Sequence, residues 1–273
     1  MKQLANCFLA QIILIVGYGQ TVRFPLNCAY TSSTVYSTKF SDVFAAAANP
    51  GTLARLNNRA AGIYAERKFM LKELPYYQAI IAVPSKKGGF SISLHYSGNP
   101  LFSEWQAGIG YGRKLNEKID LGARINYCSI NAGSYGAAAT INAEIGAIWH
   151  ITEELHLGLH IYNPFGGKFG KELNEKIPAI YRSGIGYEIS EKVFICTEIV
   201  KEENTPANIN LTLQYKFLDQ FYVKTGLATA NGQFFMGTGL RFDKLQIDVI
   251  SSWHQQLGFT PSIVFIFGST GEK

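Results

Sequence analysis

From Ala60 onward, apolar and polar residues alternate with a period of two, in run after run along the chain. In the stretch "LHLGLHIY", Leu155, Leu157, Leu159 and Ile161 share one face, while His156, Gly158, His160 and Tyr162 share the other. In "NINLTLQYKF", Ile209, Leu211, Leu213, Tyr215 and Phe217 oppose Asn208, Asn210, Thr212, Gln214 and Lys216. The pattern predicts strands near 60–70, 76–84, 88–97, 104–114, 118–131, 137–150, 155–163, 178–188, 193–202, 206–217, 220–229, 232–243, 244–252 and 257–267. Most are close to the length of about ten residues that a tilted membrane strand needs.

The face opposite the leucines is unusual. It carries Glu66, Asp120, Arg124, Glu144, His150, His156, His160, Arg182, Glu198, Lys216, Lys224, Arg241 and Asp248. A soluble sandwich also alternates, but its apolar face is the buried one. Strand number, strand length and the placement of these charges predict the inverse: an all-β, up-and-down antiparallel transmembrane barrel of about fourteen strands, apolar outside and polar within. Hydrocarbon offers no hydrogen bonds to the backbone, and a closed barrel is a sheet without edges. The charged side chains are then lumen-lining candidates. Held in a narrow interior, they must be paired or wet, and they would cross-link the interior or select solutes by charge.

The connections fit that plan. Polar turns near 85–88, 115–118, 152–154, 190–192, 218–220 and 243–244 are tight and join every second strand pair, as periplasmic turns do. The alternate connections, such as "NPFGGKFGKELNEKIP" at 163–178, are longer on average and more variable, and "NPFGGKFG" at 163–170 is predicted to be a flexible outer loop. Tyr111, Tyr127, Trp149, Tyr187, Tyr215, Phe217, Phe242 and Phe267 fall near strand ends on the apolar face, where aromatic girdles meet the membrane interfaces. The last run, "SIVFIF", ends on Phe267 like the terminal strand of an outer-membrane protein.

Composition narrows the choice. Charged residues are 16% of the 273, against a usual figure of about 25%, while 47% are hydrophobic. A mean hydropathy of +0.03 excludes a bundle of membrane helices. The net charge of +5 is scattered, which argues against a nucleic-acid partner. Residues 1–19 have the form of a signal peptide: Lys2, an apolar core, and Gly17 and Gly19 before a cleavage expected ahead of Gln20. Cys7 precedes that core and is not placed as a lipid acceptor, and Cys28, Cys128 and Cys196 are too dispersed for a disulfide framework.

Before the first strand, "FSDVFAAAANPGTLARLNNRAAGIYAERKF" breaks the alternation, with a short helix expected around Phe44 to Ala48. With its Asp, small residues, Asn-Pro turn and Leu-Ala pair, at Asp42, Asn49, Pro50, Gly51, Leu53 and Ala54, this stretch resembles the entry segment of FadL-like and PorV/PorQ-like outer-membrane barrels. The resemblance extends over the mature chain at the level of architecture. It implies that residues 20–59 form a lumenal hatch with the Asn-Pro turn near the wall of a barrel at 60–268, followed by a short tail at 269–273. FadL-like members pass hydrophobic solutes, often laterally through a wall opening. PorV-like members act with the type IX secretion system of Bacteroidota. This chain departs from both in its short outer loops.

No enzyme chemistry emerges. His156 and His160 lie roughly 13 Å apart along one strand, too far to share a metal, although His150 on the neighbouring strand can approach one of them. Ser93 and His95 share a face without a nucleophile elbow, and the glycines of 163–170 lack phosphate-loop spacing. No cofactor is expected. The expected function is a passive channel of the Gram-negative outer membrane for small or hydrophobic solutes. An accessory barrel of a secretion complex and a closed structural barrel are the alternatives. The partners implied are membrane lipid, a small solute or secretion-complex proteins.

Overall fold

Each run of alternation becomes a strand because its outward side chains find no core to enter and its inward ones share a lumen. In the computed structural model, which describes residues 29–169, 175–229 and 232–268, the barrel strands are β1 (Ala60–Arg67), β2 (Pro75–Ser85), β3 (Gly88–Gly98), β4 (Ser103–Lys114), β5 (Ile119–Asn131), β6 (Ala137–His150) and β7 (Leu155–Tyr162). They continue, after a two-residue ribbon of β8 (Lys168–Phe169) and β9 (Glu175–Lys176), as β10 (Ile180–Glu188), β11 (Val193–Glu202), β12 (Asn208–Leu218), β13 (Phe221–Ala228), β14 (Gln233–Phe242), β15 (Leu245–His254) and β16 (Gly258–Phe267). Every neighbouring pair is antiparallel, and β1 closes on β16 from Ala61↔Phe267 to Glu66↔Ser262. The result is a closed barrel of 14 strands. The expected signal peptide, the first part of the expected hatch (20–28) and the tail lie outside the described residues.

Burial is inverted as the pattern predicts. On β5 the outward Ile125 is 65% exposed, while the inward Asp120 and Arg124 are each 1% exposed. The eight girdle aromatics all point outward, with Tyr215 packed edge-on against Phe217. An outward belt of isoleucine, leucine, phenylalanine and tyrosine on this scale is stable only in an apolar surround, so the barrel is a membrane-spanning one.

One local expectation changes, and one loop gains detail. Strand β1 stops at Arg67 rather than near residue 70, because Phe69 and Met70 take left-handed backbone angles of φ 53° and 62°. The described parts of the 163–178 connection, 163–169 and 175–178, make specific contacts. Asn163, at φ 54°, turns the chain, accepts from the Gly167 amide (2.9 Å) and donates to the Ile177 carbonyl (2.7 Å). That ties the ribbon down and drives Phe169 and Ile177 into an apolar cluster with Cys128, Ile130, Tyr162 and Ile180.

Candidate functional site

Residues 29–56 run inside the barrel. Helix α1 (Ala29–Ser32) leads into a 3-10 turn (Ser33–Tyr36), and helix α2 (Val43–Ala48) into another (Pro50–Arg55). The alanines of "VFAAAA" favour a helix and are thin enough to fit a lumen. Asp42 caps α2, its carboxylate accepting from the Phe44 amide (2.8 Å). Burial raises the Asp42 pKa to about 6, Lys224 pulling it down and Asp248 pushing it up to smaller extents. Asn49 ends the helix and starts the next turn: its Oδ1 accepts from the Gly51 amide (2.9 Å), and its Nδ2 donates to the wall carbonyl of Leu159 (3.0 Å). Pro50 follows because the first residue of a turn needs no amide donor.

The wall grips this segment at separate places. From β5, Arg124 donates to the carbonyls of Ala46 and Ala47, the last turn of α2, and pairs with Glu144 of β6 (3.1 Å). Glu144 also meets His160 (2.9 Å) and Asn126 (2.7 Å). Across the lumen Glu198 accepts from the Tyr36 hydroxyl (2.7 Å), Ser32 (3.3 Å) and Asn210 (2.9 Å), with Arg182 3.9 Å away. Asp248 accepts from Tyr30 (2.9 Å) and Tyr222 (2.6 Å), while Lys224 donates to the Tyr30 carbonyl (3.2 Å) and lies over its ring. Lys216 sits over the Phe40 ring at 4.3 Å.

At the short-turn end a chain of groups runs round the rim. Arg55 donates to Asp120 (2.6 Å) and to the Glu117 carbonyl. Asp120 meets His150 Nε2 (2.7 Å), and His150 Nδ1 faces His156 Nδ1 at 3.0 Å, so one ring donates and the other accepts. His156 Nε2 lies 3.5 Å from Glu188, which accepts from the Ser37 hydroxyl (2.6 Å) and the amides of Thr38 and Lys39. These groups border a vestibule of about 950 Å³ between the inner segment and the turns at 115–118 and 151–154.

Each lumen candidate therefore has an inward position, but they do not form one site. Arg124, Glu198, Lys224 and Asp248 hold residues 29–56, and Glu144 acts on them only through Arg124. Glu66 faces Lys68 (3.9 Å) at the loop end, and Arg241 bonds Gln246 (3.1 Å) at the turn end. His156 and His160 serve different clusters. Among the described residues, no three His, Cys, Asp or Glu side chains converge as a metal site. Within the Asp42–Leu53 stretch, Leu53 is fully buried and Gly51 rests on the Gly146 backbone. Sequence reasoning missed Glu188, Arg55, Tyr30, Tyr36 and Tyr222. Glu188 and Tyr222 were within reach, since both fall on lumen-facing parity. Tyr30 and Tyr36 sit where no alternation exists to orient them.

The wall beside Asn49 is unbroken. Pairing of β6 with β7 runs without a shift from Glu144↔Tyr162 to His150↔His156, and β7 with β10 from Tyr162↔Ile180 to Leu155↔Tyr187. The lateral opening implied for FadL-like relatives is absent at this place.

No protein-family model and no curated protein matches the chain. Solved structures do match. The Pseudomonas putida toluene transporter TodX superposes with a TM-score of 0.61 at 12% identity, over 88% of this chain and 96% of that one. A Pseudomonas aeruginosa FadL homologue gives 0.59 at 13% identity (87% and 94%), and the monoaromatic hydrocarbon channel CymD 0.58 at 12% (84% and 93%). The chain has the fold of these channels. Nearly the whole of each neighbour is spanned, so the likeness takes in the full barrel. A Bacteroidota-type or PorV/PorQ-type affinity has no counterpart among these three.

Proposed function

We propose that the chain is a passive channel of the Gram-negative outer membrane, with residues 29–56 acting as the hatch that shuts it. The short turns, with the start of β1 and the end of β16, mark the periplasmic end, and the loop carrying β8 and β9 the outer end. The observation that supports gating most is how the buried charges are used. Arg124, Glu198, Asp248 and Glu188 each reach from the wall to the inner segment, in addition to the partners they keep on neighbouring strands. A barrel that merely braces a membrane gains nothing from polar contacts to a separate segment, whereas hydrogen bonds that water can replace suit a part that moves. The channel neighbours in the solved structures favour the same reading.

Planar-bilayer recordings test it. Full-length protein should conduct rarely, and deletion of 20–59 should give a sustained open level. A deletion variant that is folded and still closed would sink the proposal. A stoichiometric large partner purified from native membranes would favour an accessory barrel instead.

A further inference from the structure

The lumen on the outer side of the hatch differs in chemistry from the part that holds it. Stepping outward from Arg124 and Glu144, the next level round β3–β6 is Ser93, Gly108, Asn126 and Asn142, register partners across the strands. The level beyond is Gln78, His95, Gln106 and Cys128. Facing these across the barrel are Asn210, Thr212, Ser252, Thr260 and Ser262, also inward and buried. On β3–β6 both levels are hydrogen-bonding and hold no carboxylate, lysine or arginine, charge returning at the outer rim in Glu66, Lys68 and Glu104; on the facing wall Asn210 donates to Glu198, the carboxylate that also holds the inner segment. The Gln78 and Gln106 amide nitrogens, the Ser91 and Ser93 hydroxyls and the Asn126 carbonyl oxygen have no hydrogen-bond partner among the described residues.

We infer that the solute admitted is a small uncharged molecule rich in hydroxyl groups, a polyol or neutral sugar, rather than a hydrocarbon. This rests on the channel reading and adds the solute class. A hydrocarbon moving past these levels would strip their amides and hydroxyls of water and return no hydrogen bond. An ion would lose hydration and meet no opposite charge until the hatch anchors. A polyol offers donors and acceptors together, matching a lining in which both kinds stand unpartnered. The exit agrees. With an unbroken wall at β6–β7–β10 the path ends not in lipid but in the periplasmic vestibule, lined by Lys39, Arg55, Glu117, Lys118, Glu153 and Glu154. One apolar patch, Cys128 with Ile130, Tyr162 and Ile180, is filled by Phe169 and Ile177 of the outer loop, and a second, Tyr64 and Tyr76 with Phe235 and Ile250, packs with Tyr30 and Phe44 of the inner segment.

The test uses the full chain and its Arg124→Gln variant, which loosens the hatch, in liposomes under isosmotic swelling. Glycerol and arabinose should enter the variant on the order of ten-fold faster than gluconate or glucosamine. Adding Gln78→Leu and Gln106→Leu should lower arabinose flux about five- to ten-fold while ion conductance persists. Ser91→Ala with Ser93→Ala serves if the leucines block folding, which heat-modifiable gel migration reports. Saturation-transfer NMR on the detergent-solubilised chain should show contact with arabinose and not with toluene. Equal entry of charged solutes, unchanged sugar flux in the polar-to-apolar variants, or toluene contact without arabinose contact each overturns the solute class while leaving a channel. If Arg124→Gln neither conducts nor swells, the channel reading falls and the solute class with it.

Discussion

Arg124 links the wall to the inner segment, because one guanidinium closes the last turn of α2 and neutralises Glu144 together. Replacing it with glutamine leaves Glu144 buried with His160 and Asn126 but without its guanidinium, and breaking a buried pair from one side costs about 3–5 kcal/mol. Arg124→Gln should therefore raise open frequency and speed amide exchange at Ala45–Ala48, while Glu144→Gln added to it should recover part of the loss. Asp42 sets a pH dependence of known sign. Its docked pKa, about 6, lies above the ordinary 3.8 that it regains in water. The docked hatch binds the proton more tightly, so docking is favoured below about pH 4 and loses that advantage as pH rises through 6. Open frequency should climb between pH 5 and 7 and flatten in Asp42→Asn, which keeps the helix cap. A fall over that range, absent in the variant, would reverse the assignment.

At the scale of elements, two faces of the same strands do different work. On the inner face, glycines let the inner segment lie against the backbone: a Cβ at Gly146 would collide with Asn49 Oδ1, and one at Gly184 with the Tyr36 ring. Gly146→Ala should displace Asn49 from Leu159 and raise conductance without lowering the unfolding temperature of the barrel. On the outer face, Ile125→Lys near the middle of β5 should destabilise the folded barrel by about 2–4 kcal/mol, measured by denaturant unfolding in lipid. Both faces were legible in the alternation itself, since a period of two assigns each residue to one side or the other. Strand ends were less legible where a turn depends on a backbone angle, as at Phe69. The ribbon at β8–β9 was missed because Asn163 makes its bonds to residues 4 and 14 positions away.

For the whole molecule, the closing ladder between β1 and β16 involves no residue of 29–56. Deleting 20–59 should accordingly leave the heat-modifiable gel shift of a folded barrel intact even as the channel opens. Loss of that shift would make the inner segment part of the fold rather than a gate. The repeated alternation, the strand lengths and the polar turns were enough to determine an inverted antiparallel barrel, because in hydrocarbon each strand must satisfy its backbone in a closed sheet whatever its other partners. The sequence also placed the charges on the lumen side. It could not say what they hold. Tyr36 and Glu198 are 162 residues apart, and Tyr30 and Asp248 218 apart. A period along a strand gives direction but not depth or distance across a lumen. Only the tertiary structure decided that the charges grip an inner segment, that the wall beside Asn49 is whole, and that β3–β6 present polar side chains without acid or base between Arg124 and the outer rim.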